Sequence, residues 1–204
     1  KITKMLKKGS NARDRVLTLN EFQQLMDALP YYAKNILATA FFTGMRRGEV
    51  LSLTWDKVSL KHRRIDLEPE DTKDKEKRYI PISDELFKIL VNIPKAIHDN
   101  HVFLYKGSSL KSIRAILQKT CKDIDIPYGR NTKNGIIFHD LRHTFNTNMR
   151  KAGAHDTITM DITGHSTREM FDRYNTVDES EKAEAVKRME SFLFGQKESE
   201  KNIK

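Results

Sequence analysis

Apolar residues recur at helical spacing along most of this chain, and that periodicity constrains the fold more than any other feature. The first stripe consists of Phe22, Leu25 and Leu29. It follows a Thr-x-x-Glu pattern at Thr18 and Glu21, which is the sequence signature of a capping box at the start of a helix. A chain with this pattern must bury one face of several helices against a shared core.

The periodicity changes once. Residues 58–66 and 78–82 alternate in the manner of short strands, and the charged connector 68–77 lies between them. These segments predict a hairpin or a three-stranded antiparallel sheet, and 102–104 a further short strand. Helices are predicted over 33–42, 47–53, 83–93, from Ser108 or Ser109 through Leu117, and over 138–151, 155–163, 167–174 and 179–194.

The predicted fold class is therefore α+β and mostly helical, with one domain that carries a small antiparallel sheet. Residues 1–15 are rich in lysine and arginine and are expected to form a basic arm or linker. Residues 16–194 are expected to form the folded domain, and 195–204 a flexible tail.

Charge and composition limit the function classes. Lys and Arg number 37 against 28 Asp and Glu, which gives a formal net charge of +9 and favours a polyanionic partner, with nucleic acid first. The sequence contains no run of about 18 apolar residues that could span a membrane, and no signal peptide is recognisable at the start. The single cysteine, Cys121, cannot form an internal disulfide or a cysteine metal cluster. We expect a cytoplasmic protein that binds no membrane.

The stretch from Phe138 to Phe145 carries the most informative polar residues. In a helix, His139, Arg142 and His143 share one side, because residues three and four apart are neighbours. Arginine matches phosphate oxygens with two parallel donors, and histidine adds a donor or a proton near neutral pH. The alternatives are that these are surface charges, or that His143 is a core histidine.

Three other stretches are weaker evidence for a functional site when each is considered alone. In Thr43-Gly44-Met45-Arg46-Arg47-Gly48-Glu49, a glycine-bracketed turn enters a helix, and at most one arginine can face a given site. Gly164-His165-Ser166 is followed by Tyr174, which could equally be a core tyrosine. Lys73 lies in the connector between the strands, where a solvated turn is the alternative.

Together these residues suggest phosphodiester transesterification without a metal. Arginines offset the charge that grows on the non-bridging oxygens, a tyrosine oxygen attacks phosphorus, and a lysine protonates the departing oxygen. No cluster of carboxylates suggests a Mg²⁺ site, and no cofactor is expected.

The order of these motifs and the residues in them resemble those of the tyrosine recombinase (phage integrase) family. Four blocks match in family order between about Leu17 and Tyr174, so that 16–194 is expected to be a catalytic domain of that family. The matching blocks are Thr43-Gly44-Met45-Arg46 with Glu49, Thr72-Lys73 before Arg78-Tyr79-Ile80-Pro81-Ile82, His139-Asp140-Leu141-Arg142-His143-Thr144-Phe145, and Gly164-His165-Ser166 with Arg173-Tyr174.

The resemblance implies a role for each motif residue. Arg46 and Arg142 would hold the scissile phosphate. Lys73 would be the general acid for the 5′ oxygen, with Lys75 and Lys77 as near alternatives. Tyr174 would be the nucleophile, which leaves a 3′-phosphotyrosine link and a free 5′-hydroxyl.

His139 and His165 would donate hydrogen bonds to the phosphate or assist proton transfer, while Glu49 and His143 would support the site. Outside the motifs, four basic residues precede the His139 block and could touch the DNA backbone, although each could also belong to a solvated face. These residues are Lys111, Arg114, Arg130 and Lys133.

Two positions depart from the family pattern. Thr163 stands where the family often has leucine before Gly-His, a change expected to affect packing more than chemistry. Asn175-Thr176 replaces a common small residue plus histidine, so no extra histidine follows the nucleophile.

The function implied is a site-specific recombinase for the integration or excision of a mobile element, encoded by a bacterium or phage and associated with the nucleoid. Its partners would be double-stranded DNA and other protomers, in a tetramer on DNA with a monomer when free; the helix after Tyr174 would pack on a neighbour. The family's core-binding domain is missing, which suggests a catalytic fragment. The alternatives are a type IB topoisomerase-like activity and a DNA-binding module without catalysis.

Overall fold

One helix, α2 (Tyr31–Thr43), lies at the centre of the fold. The computed structural model describes residues 15–168, 171 and 182–192. Within these residues α2 packs against α1 (Leu19–Ala28), α3 (Arg47–Leu51), α4 (Asp84–Val91) and α6 (Asp140–Lys151). Because α2 has neighbours on several sides, it is buried almost all round instead of along the single stripe that the sequence suggests.

The capping box predicted at the start of α1 is confirmed. The Thr18 hydroxyl accepts a hydrogen bond from the Glu21 amide at 3.2 Å, and the Glu21 carboxylate accepts one from the Thr18 amide at 2.9 Å. Phe22 and Leu25 are the buried residues of this helix, and Phe22 stacks on Phe41 of α2.

The predicted sheet has three strands. These are β1 (Val58–Ser59), β2 (Arg64–Leu67) and β3 (Arg78–Pro81), antiparallel and in that order. Ile65 faces Ile80 across the β2–β3 pair, and both side chains are buried. The register therefore fixes which face of β3 points inward, and it turns Arg78 to the buried side.

The helix predicted from Ser108 or Ser109 is wrong at its start. Ser108 and Ser109 form β5 (Ser108–Ser109), which pairs with β4 (Leu104–Tyr105) through a tight turn at Lys106 and Gly107, both with positive φ. The helix α5 (Arg114–Asp123) begins later, and the Ser112 hydroxyl accepts a hydrogen bond from the Arg114 amide at 3.1 Å. The two serines, which are good capping residues in sequence, are taken up by a hairpin instead.

The last helices place the final motif beside the sheet. The helix α7 (Asp156–Thr163) packs on β3 and on α6, and residues 182–192 are helical. No helix in the described part of the chain is long and apolar enough to cross a membrane. Residues 1–14, most of the predicted 167–174 helix with Tyr174, and the tail 195–204 lie outside the described residues. The domain boundaries stay a prediction.

Candidate active site

Arg46 reaches the site because the backbone reverses immediately before it. Gly44 ends α2 with a φ of 64°, in the left-handed region that favours glycine, and α3 begins directly after Arg46. The Arg46 guanidinium donates to Glu49 at 3.1 Å, to Asp74 at 2.6 Å and to the Gly164 carbonyl at 2.8 Å. Arg47 is exposed and lines the cavity beside His139 instead, so one arginine of the pair joins this cluster.

Arg142 holds the ends of α2 and α7 together. Its Nη1 donates to the Gly44 carbonyl at 2.9 Å and to the Thr163 carbonyl at 2.5 Å, and the residue is only 4% exposed. Burial, with a further contribution from the positive charge of Arg46, lowers the pKa of Arg142 to about 9. The guanidinium is still charged at neutral pH, in a place where water competes poorly for an anion.

His165 lies directly against Arg142. Arg142 Nη2 is 3.2 Å from His165 Nε2 and 3.3 Å from Nδ1, and the Phe171 ring packs edge-on against the imidazole. Burial and the charge of Arg142 lower the pKa of His165 to about 3. The imidazole is therefore neutral at neutral pH.

Thr163 fixes which nitrogen of His165 carries the proton. The Thr163 hydroxyl donates to the Thr159 carbonyl at 2.6 Å, so it can only accept from His165 Nδ1, which is 2.8 Å away. Nδ1 is then the protonated nitrogen, and Nε2 is the acceptor. The expectation that a threonine here matters mainly for packing misses this contact.

His139 lies immediately before α6 and is exposed. Desolvation by neighbouring atoms, and then the charge of Arg142, lower the pKa of His139 below the usual value. His143, which shares its side of the helix in the sequence pattern, is instead buried. The supporting role expected for His143 stays a prediction.

Glu49 is the buried acceptor that joins this arginine cluster. Its carboxylate accepts from the Arg46 amide at 2.8 Å, from the Arg46 guanidinium, and from Arg78 Nη2 at 2.7 Å, and the residue is 4% exposed. A buried carboxylate held by three donors keeps the two guanidinium groups in place. The supporting role expected for Glu49 stays a prediction.

Two residues of this cluster, Arg78 and Asp74, are not among the site residues predicted from the sequence. Arg78 is buried on β3, donates to the Ile162 carbonyl at 3.1 Å and lies so close to Gly164 that a Cβ there would be 2.6 Å from Nη1. The available signal for Arg78 was its position two residues before Ile80 on β3, which places both side chains on the same, buried face. Nothing local distinguishes Asp74 from its charged neighbours.

Lys73 is exposed in the turn between β2 and β3, and the next residue in that turn, Asp74, is the one that contacts Arg46. Lys75 is exposed as well, and Lys77 forms an ion pair with Glu68 at 2.8 Å. The choice among the three lysines stays a prediction.

A basic cavity of about 510 Å³ opens beside His139. Arg47, Arg114 and Arg130 line it together with Tyr128, and no Asp or Glu is among its lining residues. Lys111 and Lys133 are exposed but lie outside this lining. In the part of the chain that the structure describes, no three His, Cys, Asp or Glu side chains are grouped to hold a metal ion.

The model of the phage integrase family matches residues 15–181. This chain belongs to that family. Among curated proteins, this chain resembles the integrase of Salmonella phage P22, with 27% identity over 91% of this chain and 49% of the relative. It also resembles the shufflon-specific DNA recombinase of Escherichia coli, with 31% identity over 82% of this chain and 41% of the relative. The chain thus spans about half the length of these relatives.

Solved structures agree on the fold. A crystal structure of XerA recombinase superposes with a TM-score of 0.70 at 20% identity, over 91% of this chain and 66% of that one. The catalytic domain of bacteriophage HP1 integrase superposes with a TM-score of 0.62 at 26% identity, over 86% of this chain and 95% of that one. The predicted fold class, a helical tyrosine recombinase catalytic fold with a small antiparallel sheet, is confirmed.

Proposed function

We propose that this chain is the catalytic part of a site-specific recombinase, which cleaves and rejoins duplex DNA through a covalent 3′-phosphotyrosine at Tyr174. The observation that carries the proposal is the convergence of three distant motifs. The Arg46 and Arg142 guanidinium groups both bind backbone carbonyls of the 163–164 turn, and His165 follows that turn directly. Positive charge and a neutral imidazole therefore meet at one point of the fold, around the 163–164 turn.

The chemistry that we assign to these groups is a transesterification. The Tyr174 oxygen attacks the scissile phosphorus and the bond from phosphorus to the 5′ oxygen breaks, with Arg46 and Arg142 offsetting the charge on the non-bridging oxygens. Lys73 gives its proton to the departing 5′ oxygen. Rejoining is the reverse, since a 5′-hydroxyl attacks the phosphotyrosine and Tyr174 leaves.

The two histidines contribute hydrogen bonds in this scheme. His165 is neutral, and its Nε2 is the acceptor in the tautomer that Thr163 favours. That nitrogen already lies 3.2 Å from Arg142 Nη2, and a pKa of about 3 makes it a weak base, so His165 acts as a hydrogen-bond partner of Arg142 and the proton of Tyr174 goes to water. His139, at the start of α6, would donate to a phosphate oxygen from the side of the basic cavity that it lines.

Double-stranded DNA is the proposed partner. The arginines that line the basic cavity, Arg47, Arg114 and Arg130, would bind backbone phosphates next to the scissile one, while Lys111 and Lys133 would contribute to the wider field. One solved neighbour is the Tn1549 transposon integrase in complex with a circular intermediate DNA, and another is a lambda integrase dimer bound to a core site.

Assembly of several protomers on DNA is also proposed, up to the tetramer expected from the sequence. The helical residues 182–192 expose Val186, Met189 and Phe192 at a spacing that places them on one face. We assign the protein to the bacterial nucleoid, as a factor for integration or excision of a mobile element.

The nucleophile can be tested on a pool of randomised targets. The chain is incubated with nicked duplexes that have a randomised site, and DNA that remains protein-bound in denaturing detergent is recovered and sequenced. The parent chain should enrich one class of sequence, because the nick lets the cleaved strand diffuse away before it is rejoined. Tyr174→Phe should form less than about one hundredth of the adduct, since a single nucleophile is removed.

Tyr105→Phe is the matched control, because Tyr105 is an exposed tyrosine on β4. It should form adducts at the rate of the parent chain. Adducts that persist in Tyr174→Phe would assign the nucleophile to another residue and overturn the proposed role of Tyr174.

A further inference from the structure

The carboxylate of Asp74 already binds Arg46, the arginine proposed to bind the scissile phosphate. Asp74 Oδ2 accepts from Arg46 Nη2 at 2.6 Å, and both side chains are 19% exposed. Asp74 comes from the turn between β2 and β3, and Arg46 from the start of α3, so the contact joins segments that are distant in sequence. The carboxylate lies at the solvent-accessible side of the arginine cluster, where DNA would arrive.

The two carboxylates on Arg46 are held very differently. Glu49 is buried and also bound to Arg78 and to the Arg46 amide. Asp74 has no hydrogen-bond partner other than Arg46 among the described residues. A bound anion could therefore replace Asp74 without exposing a buried charge, whereas replacing Glu49 would leave one unpaired.

A phosphodiester matches what Asp74 offers. It carries a single negative charge and presents oxygen acceptors that a guanidinium binds in the same way as a carboxylate. The exchange would leave the net charge around Arg46, Arg78 and Arg142 unchanged. Asp74 also lines the cavity that contains His165, so that a phosphate in its place would lie beside the second histidine of the site.

We propose that Asp74 takes the place of the scissile phosphate on Arg46 when DNA is absent, and that a DNA phosphate displaces Asp74 from Arg46 on binding. This inference rests on the proposed function, since it assumes that Arg46 binds a DNA phosphate. Lys73 is the neighbour of Asp74 in the same turn, which Thr72 closes by accepting from the Glu76 amide at 3.0 Å. Displacement of Asp74 thus breaks the contact of Asp74 with Arg46 in the turn that carries the expected general acid.

The test compares two variants that remove one negative charge from the same turn. Binding of a short fluorescent duplex to the 204-residue chain is measured by anisotropy at low salt for the parent chain, Asp74→Asn and Glu76→Gln. Glu76 is exposed and has no ion pair with Arg46 in the described structure. Asp74→Asn should bind about fivefold more tightly than Glu76→Gln, because it alone removes a competitor from Arg46.

A double mutant locates the effect. In an Arg46→Ala background, Asp74→Asn and Glu76→Gln should bind DNA equally, because the contested guanidinium is gone. Asp74→Ser is a second variant that also removes the carboxylate, and it should reproduce the gain. Equal affinities of Asp74→Asn and Glu76→Gln in the parent background would overturn this inference alone. Absence of DNA binding by the parent chain would overturn the proposed function and this inference with it.

Discussion

At the scale of single residues, the hydroxyl of Thr163 makes a prediction about His165. Thr163→Val keeps the shape of the side chain but removes the oxygen that accepts from His165 Nδ1. The imidazole should then shift toward the tautomer with its proton on Nε2. The measurement is the ¹⁵N chemical shift of both ring nitrogens at pH 7, where a pKa of about 3 keeps His165 neutral.

Two further variants separate this effect from a change in packing. Thr163→Ser retains the hydroxyl and should retain the parent tautomer. Thr159→Val, one turn earlier on α7, removes a buried hydroxyl that does not contact His165 and should leave both ¹⁵N shifts in place. Parent-like shifts in Thr163→Val would refute the assignment of the proton to Nδ1.

The sequence predicts the residue types of this site better than their contacts. Arg46, Arg142 and His165 could be named because each lies in a short motif with a physical signature. Asp74 could not, because its importance comes from Arg46, 28 positions away, and the strand pattern of β3 indicates that Arg78 faces inward without indicating its partner Glu49. The expected contribution of Lys73 depends on where the turn between β2 and β3 lies, and the contact of Asp74 with Arg46 in that turn has no local sequence pattern.

At the scale of whole elements, periodicity predicts well where one helix face packs and poorly where a hairpin intervenes. The α1 capping box and the three-stranded sheet are present as predicted. The β4–β5 hairpin is missed, because a strand of two residues is too short to show alternation. Serines that suit a helix cap also suit a turn, and the positive φ at Lys106 and Gly107 decides between the two.

The helical residues 182–192 carry the prediction that belongs to this scale. Met189→Glu puts a charge on the exposed apolar face, so it should reduce assembly on DNA at least tenfold while single-protomer binding changes little. Mass photometry of the chain with a duplex that holds several sites would count protomers per DNA. Ser191→Glu is the matched control on another face of the same helix. Equal assembly by the two variants would show that this face is not the contact.

At the scale of the whole molecule, the excess of positive charge has two parts. Arg46, Arg78 and Arg142 are concentrated at one point, where Glu49 and Asp74 already balance most of their charge. The net charge of +9 therefore resides mainly in exposed lysines and arginines, among them Lys111, Arg114 and Lys133. The second part should govern how tightly the chain binds any duplex, and the first should govern cleavage.

This division predicts a steep salt dependence that the active-site arginines contribute to only slightly. If about five phosphates are neutralised, the logarithm of the association constant should fall with a slope of about −4.5 against the logarithm of salt concentration. Arg142→Ala should lower that slope by at most about one, yet abolish covalent adduct formation, because the proposed function has this buried guanidinium hold a single phosphate, the scissile one. The slope is measured with a short duplex between 50 and 200 mM salt, and the adduct is measured with the pool of nicked duplexes.

A flat salt response would argue against duplex DNA as the partner. Equal losses of binding and cleavage in Arg142→Ala would favour a DNA-binding module without catalysis.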